Sequence, residues 1–246
     1  MENGKHIAFL FATHKLTMPI IEQYYRLQDA TRHLGDLYLL IEDGDTEDIP
    51  NNILFYSFSV DKLNELEYEP IADTIIPGSN HFPVLLFHKD HSEYDYYWNI
   101  EYDVYFNGDW NCLFSAYELA DTDFVTSHIA HYCDLPSWMW WSSMQLTTLS
   151  IPQAEFIRSF NPIYRISNRA LKRLDEVLRQ QNAGHHEVLI PTVLYHSGYT
   201  LGDFGYFHSL GIDDNDANCS MRFRPVYDRM EIERKGIDNL LYHPVK

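Results

Sequence analysis

The stretch Asp95-Tyr-Tyr-Trp-Asn-Ile-Glu-Tyr-Asp-Val-Tyr-Phe carries two acids, Glu101 and Asp103, at a spacing that sends both to one side of an extended chain. Two carboxylates held side by side repel unless something lies between them. A divalent cation, a ribose diol or an arginine would each serve, because carboxylates accept hydrogen bonds and bind hard cations through oxygen. Taken alone, the pair reads as the solvated end of a strand before the turn Asn107-Gly108-Asp109. Its chemistry depends on what else converges on it.

Several other residue sets have types suited to chemistry. Residues 222–246 hold six Lys or Arg against four Asp or Glu, whereas the rest of the chain holds 12 against 32. Arg222 and Arg224 alternate on an expected strand and share a face; they suit charge developing on a phosphate leaving group, or simply a solvated strand face. Thr13-His14-Lys15 directly follows the first expected strand, where nucleotide-binding α/β folds place ligand contacts, although a loop histidine is often only solvated. No glycine-rich phosphate loop is present, which speaks against Rossmann dehydrogenases and P-loop enzymes. His128 with His131, and His185 with His186, invite a zinc-hydrolase reading. Neither forms His-Glu-x-x-His, and no close Cys or Asp completes a set. Trp138, Trp140 and Trp141 are either core or a platform for sugar faces.

The strand ending in Glu101-Tyr102-Asp103, followed by Gly108-Asp109-Trp110 and a helix, resembles the Asp-x-Asp region of GT-A-type glycosyltransferases. More narrowly, it is similar to bacterial and fungal glycosyltransferase-like proteins. The resemblance is strongest over residues 94–130, with weaker support in 185–196 and 239–246. It implies a GT-A-like α/β/α sandwich, a mostly parallel mixed sheet with a Rossmann-like N-terminal half, in one domain spanning 1–246. Residues 1–106 would form the nucleotide-binding half and 107–246 the acceptor-binding half. It also implies hexosyltransferase-like transfer of a sugar from a nucleotide-sugar donor to a glycan or other hydroxyl acceptor. Glu in place of Asp at position 101 leaves dependence on Mn2+ or Mg2+ open.

The same resemblance assigns roles. Branching N-acetylglucosaminyltransferases and xylosyltransferases have their acceptor base in a Glu-x-x-x-x-Thr-Leu setting, and Glu187 in Gly184-His-His-Glu-Val-Leu-Ile-Pro-Thr is similar. A carboxylate within reach of the attacking hydroxyl is what direct displacement requires, and it would invert the anomeric centre. Glu187 also suits the positive end of the helix that follows. The His243-Pro244-Val245-Lys246 ending resembles the late histidine that such enzymes place on metal or diphosphate. Thus Glu101, Asp103, Thr13, His14, Arg222, Arg224 and Lys246 are expected around the donor, with Asp103 and His243 as metal ligands. The alternative is a GT-A-like domain that binds nucleotide or glycan without turnover, and a polysaccharide acceptor follows only by analogy of fold.

Positioning these residues requires a strand-helix-strand framework. The apolar run 6–12 predicts a strand buried on both faces; 17–33 has helical spacing and 36–41 reads as a second strand. Such a unit implies a mostly parallel sheet. Further strands are expected at 53–60, 94–104, 123–128, 161–166, 199–204 and 221–227. Helices are expected at 79–90, 109–119, 168–181 and 191–196, the last beginning near its proline, and 132–150 reads as a loop.

The totals exclude other classes. With 36 acidic and 18 basic residues in 246, the net charge of −18 repels nucleic acid and anionic membranes. Three scattered cysteines form no Cys-x-x-Cys pair and suit a reduced compartment. The first apolar run is too short to span a bilayer, so no transmembrane segment and a cytoplasmic location are expected.

Overall fold

Ile7–Thr13 (β1) alternates between two cores: Ile7, Phe9 and Phe11 face one, Ala8 and Leu10 the other. A strand apolar on both sides must lie mid-sheet, and β1 does. A computed structural model describes residues 4–44, 46–209 and 216–246. In chain order the further elements are α1 (Met18–Thr31), β2 (Gly35–Glu42), β3 (Phe55–Phe58), α2 (Val60–Asn64), α3 (Phe82–Asp90) and β4 (Tyr96–Glu101). These are followed by β5 (Tyr105–Phe106), α4 (Trp110–Glu118), β6 (Phe124–His131), β7 (Ile157–Ser167), α5 (Asn168–Arg179) and α6 (His186–His196). The last are β8 (Leu201–Asp203), α7 (Arg229–Arg234) and β9 (Leu241–Tyr242).

The main sheet has the order β3-β2-β1-β4-β7-β6-β8. All its pairings are parallel except those of β7, which runs against both β4 and β6. Helices α1 and α4 cover one face through Tyr24, Leu27, Leu113 and Phe114; α2, α3, α5 and α6 cover the other. This is the expected α/β/α sandwich with a mostly parallel mixed sheet and a Rossmann-like N-terminal half. The one sheet runs through both sequence halves. No helix among the described residues is long and apolar enough to cross a membrane.

Local chemistry explains most boundaries. Pro83 stands in the first turn of α3, Asp109 caps α4 through Asn111 N–H, and Ser167 caps α5 through Ala170 N–H. Ser59 likewise caps α2, so β3 ends at Phe58 rather than running to Val60. Three expectations are corrected. Helix α6 starts at His186, five residues before the expected start, and Pro191 lies inside it. Pro191 cannot donate to the carbonyl one turn back, that of Glu187; the Ser159 hydroxyl stands 3.4 Å from that oxygen while donating at 2.7 Å to Asn161 Oδ1. The segment 221–227 is no strand but touches the C-terminal segment through two isolated bridges, Met221 with His243 and Tyr227 with Val245. Within 132–150 lie short 3-10 turns, Tyr132–Asp134 and Met139–Ser143, that bury Trp138 and Trp141.

Candidate functional site

Strand β4 ends at Glu101, and Val104 N–H closes a turn onto the Glu101 carbonyl at 3.0 Å, so Asp103 stays beside it. The short β5–β9 ladder pairs Tyr105 with Tyr242 and Phe106 with Leu241. That register carries the C-terminal segment back over the turn, where Val245 N–H donates to the Asp103 carbonyl at 2.9 Å. His243 is thereby brought to the two acids: its Nε2 lies 3.5 Å from Asp103 Oδ1 and 4.0 Å from Glu101 Oε2. Its Nδ1 donates to the Arg222 carbonyl at 2.9 Å. A neutral His243 therefore presents its Nε2 lone pair to the acids.

Burial, above all, pushes the Glu101 carboxyl up to about 7; Asp103 adds to this, while His243 and the Asn80 amide, 3.2 Å away, oppose it. Burial would lower His243, but Asp103 and Glu101 outweigh it and raise its affinity for a proton. Positive charge is thus favoured at this point. Glu101, Asp103 and His243 offer ligand atoms within 4.8 Å of one another, and among the described residues no other group of three His, Cys, Asp or Glu does so. Asp103 Oδ1 is buried without a completed hydrogen bond. Two carboxylates and an imidazole fit a divalent ion such as Mn2+, and less selectively Mg2+. The zinc reading of the other histidines finds no such convergence.

A second carboxylate group comes from α6. Glu187 is 8% exposed, and its Oε1 accepts the Asn161 N–H of β7 at 3.3 Å. Asn161 Nδ2 also donates to the His186 carbonyl at 3.3 Å, so β7 fixes the first turn of α6. His185 caps that turn: its Nδ1 accepts Glu187 N–H at 3.4 Å and stands 3.7 Å from Glu187 Oε2. Trp140 stacks on the His185 ring at 4.4 Å and 19°. Burial holds His81 and His185 down to about 3 and His186 well below its usual value, so all three are neutral rings.

One cavity of about 660 Å³ unites most of these groups. Its lining includes Glu101, Asp103, His243, Glu187, Arg224 and Lys246. Three expected donor residues lie elsewhere. Thr13 and His14 sit at the end of β1 outside the lining; Thr13 Oγ1 donates to the Lys15 carbonyl at 2.8 Å, and His14 packs edge-on against Tyr102. Arg222 turns inward, stacking on Tyr227 at 3.5 Å, donating from Nε to the Pro225 carbonyl at 2.7 Å and from Nη1 to the Ala217 carbonyl. It does not share a face with Arg224, because no strand forms there. Asn80, Asn161 and the Trp140–His185 stack escaped the sequence reading. No signal marked Asn80, which fell inside the helix expected at 79–90, whereas α3 starts only at Phe82.

Residues 57–123 match a family model described as a protein of unknown function (DUF3405). No curated protein matches the chain. Among solved structures, the chain is similar to a Bacillus anthracis protein assigned as a glucose-1-phosphate thymidylyltransferase and solved with sucrose. The identity is 10% and the TM-score 0.46, over 80% of this chain and 85% of that one. It is also similar to a glycosyltransferase involved in glycosylation of the major capsid of PBCV-1, with 12% identity and a TM-score of 0.36 over 71% of this chain and 65% of that one. At such identities and scores the likeness carries no residue role and no activity across.

Proposed function

We propose that the chain is a nucleotide-sugar-dependent glycosyltransferase that inverts the anomeric centre. The observation that carries this reading is a single cavity with two separate acidic functions: the Glu101–Asp103–His243 cluster, and Glu187 on the α6 wall. Glu101, Asp103 and His243 hold a divalent cation, which would offset charge on the donor diphosphate. Arg224 and Lys246 supply further positive charge along the same cavity. Thr13 and His14 lie outside this cavity, so neither carries a donor contact in this reading. Glu187 takes the proton of the acceptor hydroxyl, held in place by Asn161 and the His185 cap.

The test is binding and transfer by wild type and Glu187→Gln across a panel of nucleotide sugars, with and without Mn2+. Glu187→Gln should keep donor affinity and slow transfer by roughly 10²–10⁴-fold. Full activity in the variant would remove Glu187 from the reaction. Donor binding by wild type without any product would make the chain a binding domain.

A further inference from the structure

The mouth of the cavity is apolar to a degree its function as a polar-substrate site does not require. Ile76, Met139, Phe223 and Val226 all line it, and all are exposed, at 68%, 70%, 56% and 37%. They come from three separate parts of the chain: the segment before α3, the turn Met139–Ser143, and the segment after Met221. Single exposed apolar side chains are ordinary on a surface, but several gathered on one rim mark a place where apolar matter binds. Behind the rim the apolar lining continues inward through Leu135, Trp138, Phe160 and Pro162. The carboxylates and cations occupy the remainder of the same lining. The cavity is therefore amphipathic.

We propose that the acceptor is an amphiphile, a hydroxyl-bearing head joined to an alkyl, prenyl or aromatic group, whose apolar part seats on Ile76, Met139, Phe223 and Val226. This rests on the glycosyltransferase reading and narrows its acceptor. The occupant is one acceptor molecule because the four side chains and Glu187 line the same cavity, so a molecule that fills it meets both. A protein partner docked flat on this rim would close the entrance. A bilayer surface of anionic lipid is opposed by the net charge of −18. The donor's diphosphate gains nothing from these side chains and its base uses at most the flat face of Phe223, whereas a hydrocarbon tail gains from all four.

The experiment compares octyl β-glucoside, kept below its micellar concentration, with methyl β-glucoside by calorimetry. It uses wild type, Met139→Ser and Phe223→Ser, both surface changes whose folding is checked by thermal melting. Wild type should bind the octyl compound at least about tenfold more tightly, and each substitution should erase most of that preference. Equal binding of the two glucosides, or a preference that survives both substitutions, overturns the proposal. So does binding to neutral phosphatidylcholine vesicles through the same residues without any preference for the monomeric octyl glucoside. Nucleoside diphosphate binding by wild type is measured alongside: its absence would defeat the transferase reading, while the octyl preference reports on the rim alone.

Discussion

His243 Nε2 lies 3.5 Å from Asp103 Oδ1 while the opposite ring nitrogen is fixed by the Arg222 carbonyl at 2.9 Å. The carbonyl sets the tautomer, so the ring offers a lone pair when neutral and a charge-assisted contact when protonated. A cation and a proton thus compete for one position among Glu101, Asp103 and His243. Asp103→Asn removes one charged oxygen without changing shape. It should weaken Mn2+-dependent binding of a nucleoside diphosphate at least about tenfold, as losses around metal sites commonly do. Calorimetry with and without Mn2+ checks this, and an affinity equal to wild type under both conditions would reject the ligand role.

His81, His185 and His186 predict how stability depends on pH. Their folded-state affinity for protons lies below that of an unfolded histidine near 6.5, with His81 at about 3. The unfolded chain therefore takes up protons first as pH falls through 6.5, and stability is lost in that direction. Each such ring contributes a loss of about 1.4 kcal/mol per pH unit. Glu101, raised to about 7, works the other way as pH falls toward its ordinary 4.5, whereas His243, also raised, acts above an unfolded histidine's 6.5. The contribution of one ring is isolated by difference. Denaturant unfolding of wild type and His81→Phe between pH 6 and 4 should show wild type falling more steeply by about that amount per unit. Parallel curves would mean that His81 is protonated in the folded chain.

The sequence disclosed strands with clean patterns and hid those with buried polar groups. β1 alternates without a polar interruption and was legible at once. β7 was expected only at 161–166, yet it runs from Ile157 to Ser167 and is buried throughout, including Arg158, Ser159, Asn161 and Arg165. Arg165 is tolerated inside because its guanidinium lies over Tyr96 at 3.4 Å and donates to the Ala120 and Thr122 carbonyls. No periodicity announces such partners. In the site, a turn rather than strand spacing pairs Glu101 with Asp103, since β4 ends at Glu101 instead of running to 104, and their neighbour His243 was visible only as part of a resembling ending. The β5–β9 ladder that joins them has two residues per strand, too short to leave a pattern. Arg222 and Arg224 were grouped by alternation alone, and the absent strand separates them.

Pro191 and Ser159 meet at one carbonyl. The proline removes the helical donor to the Glu187 carbonyl, and the Ser159 hydroxyl of β7 stands 3.4 Å from it while donating at 2.7 Å to Asn161 Oδ1. Ser159→Ala should destabilise the fold by about 1–3 kcal/mol through the loss of a buried hydroxyl that donates to Asn161 Oδ1. In the Ser159→Ala, Pro191→Ala double variant the restored amide N–H should recover part of that loss. A double-mutant cycle of unfolding free energies measures the coupling, which should exceed about 0.5 kcal/mol. Simple additivity would show that the hydroxyl and the proline act independently.

Arg222 and Arg224 are separated by one residue and should respond in opposite ways to truncation. Arg222 is buried against Tyr227 and donates to the Pro225 and Ala217 carbonyls, which ties together the segment that delivers His243. Arg222→Ala removes a stacked cation and two of its hydrogen bonds, so it should lower stability by about 1–3 kcal/mol. Arg224 is exposed and lines the cavity. Arg224→Ala should change stability by no more than about 0.5 kcal/mol while weakening nucleoside diphosphate binding, and increasingly so at low ionic strength. Thermal melting and calorimetry on the two variants separate the roles. A stability loss in Arg224→Ala with unchanged nucleotide affinity would take Arg224 out of the donor site and leave Lys246 as the cation that faces the cavity with His243.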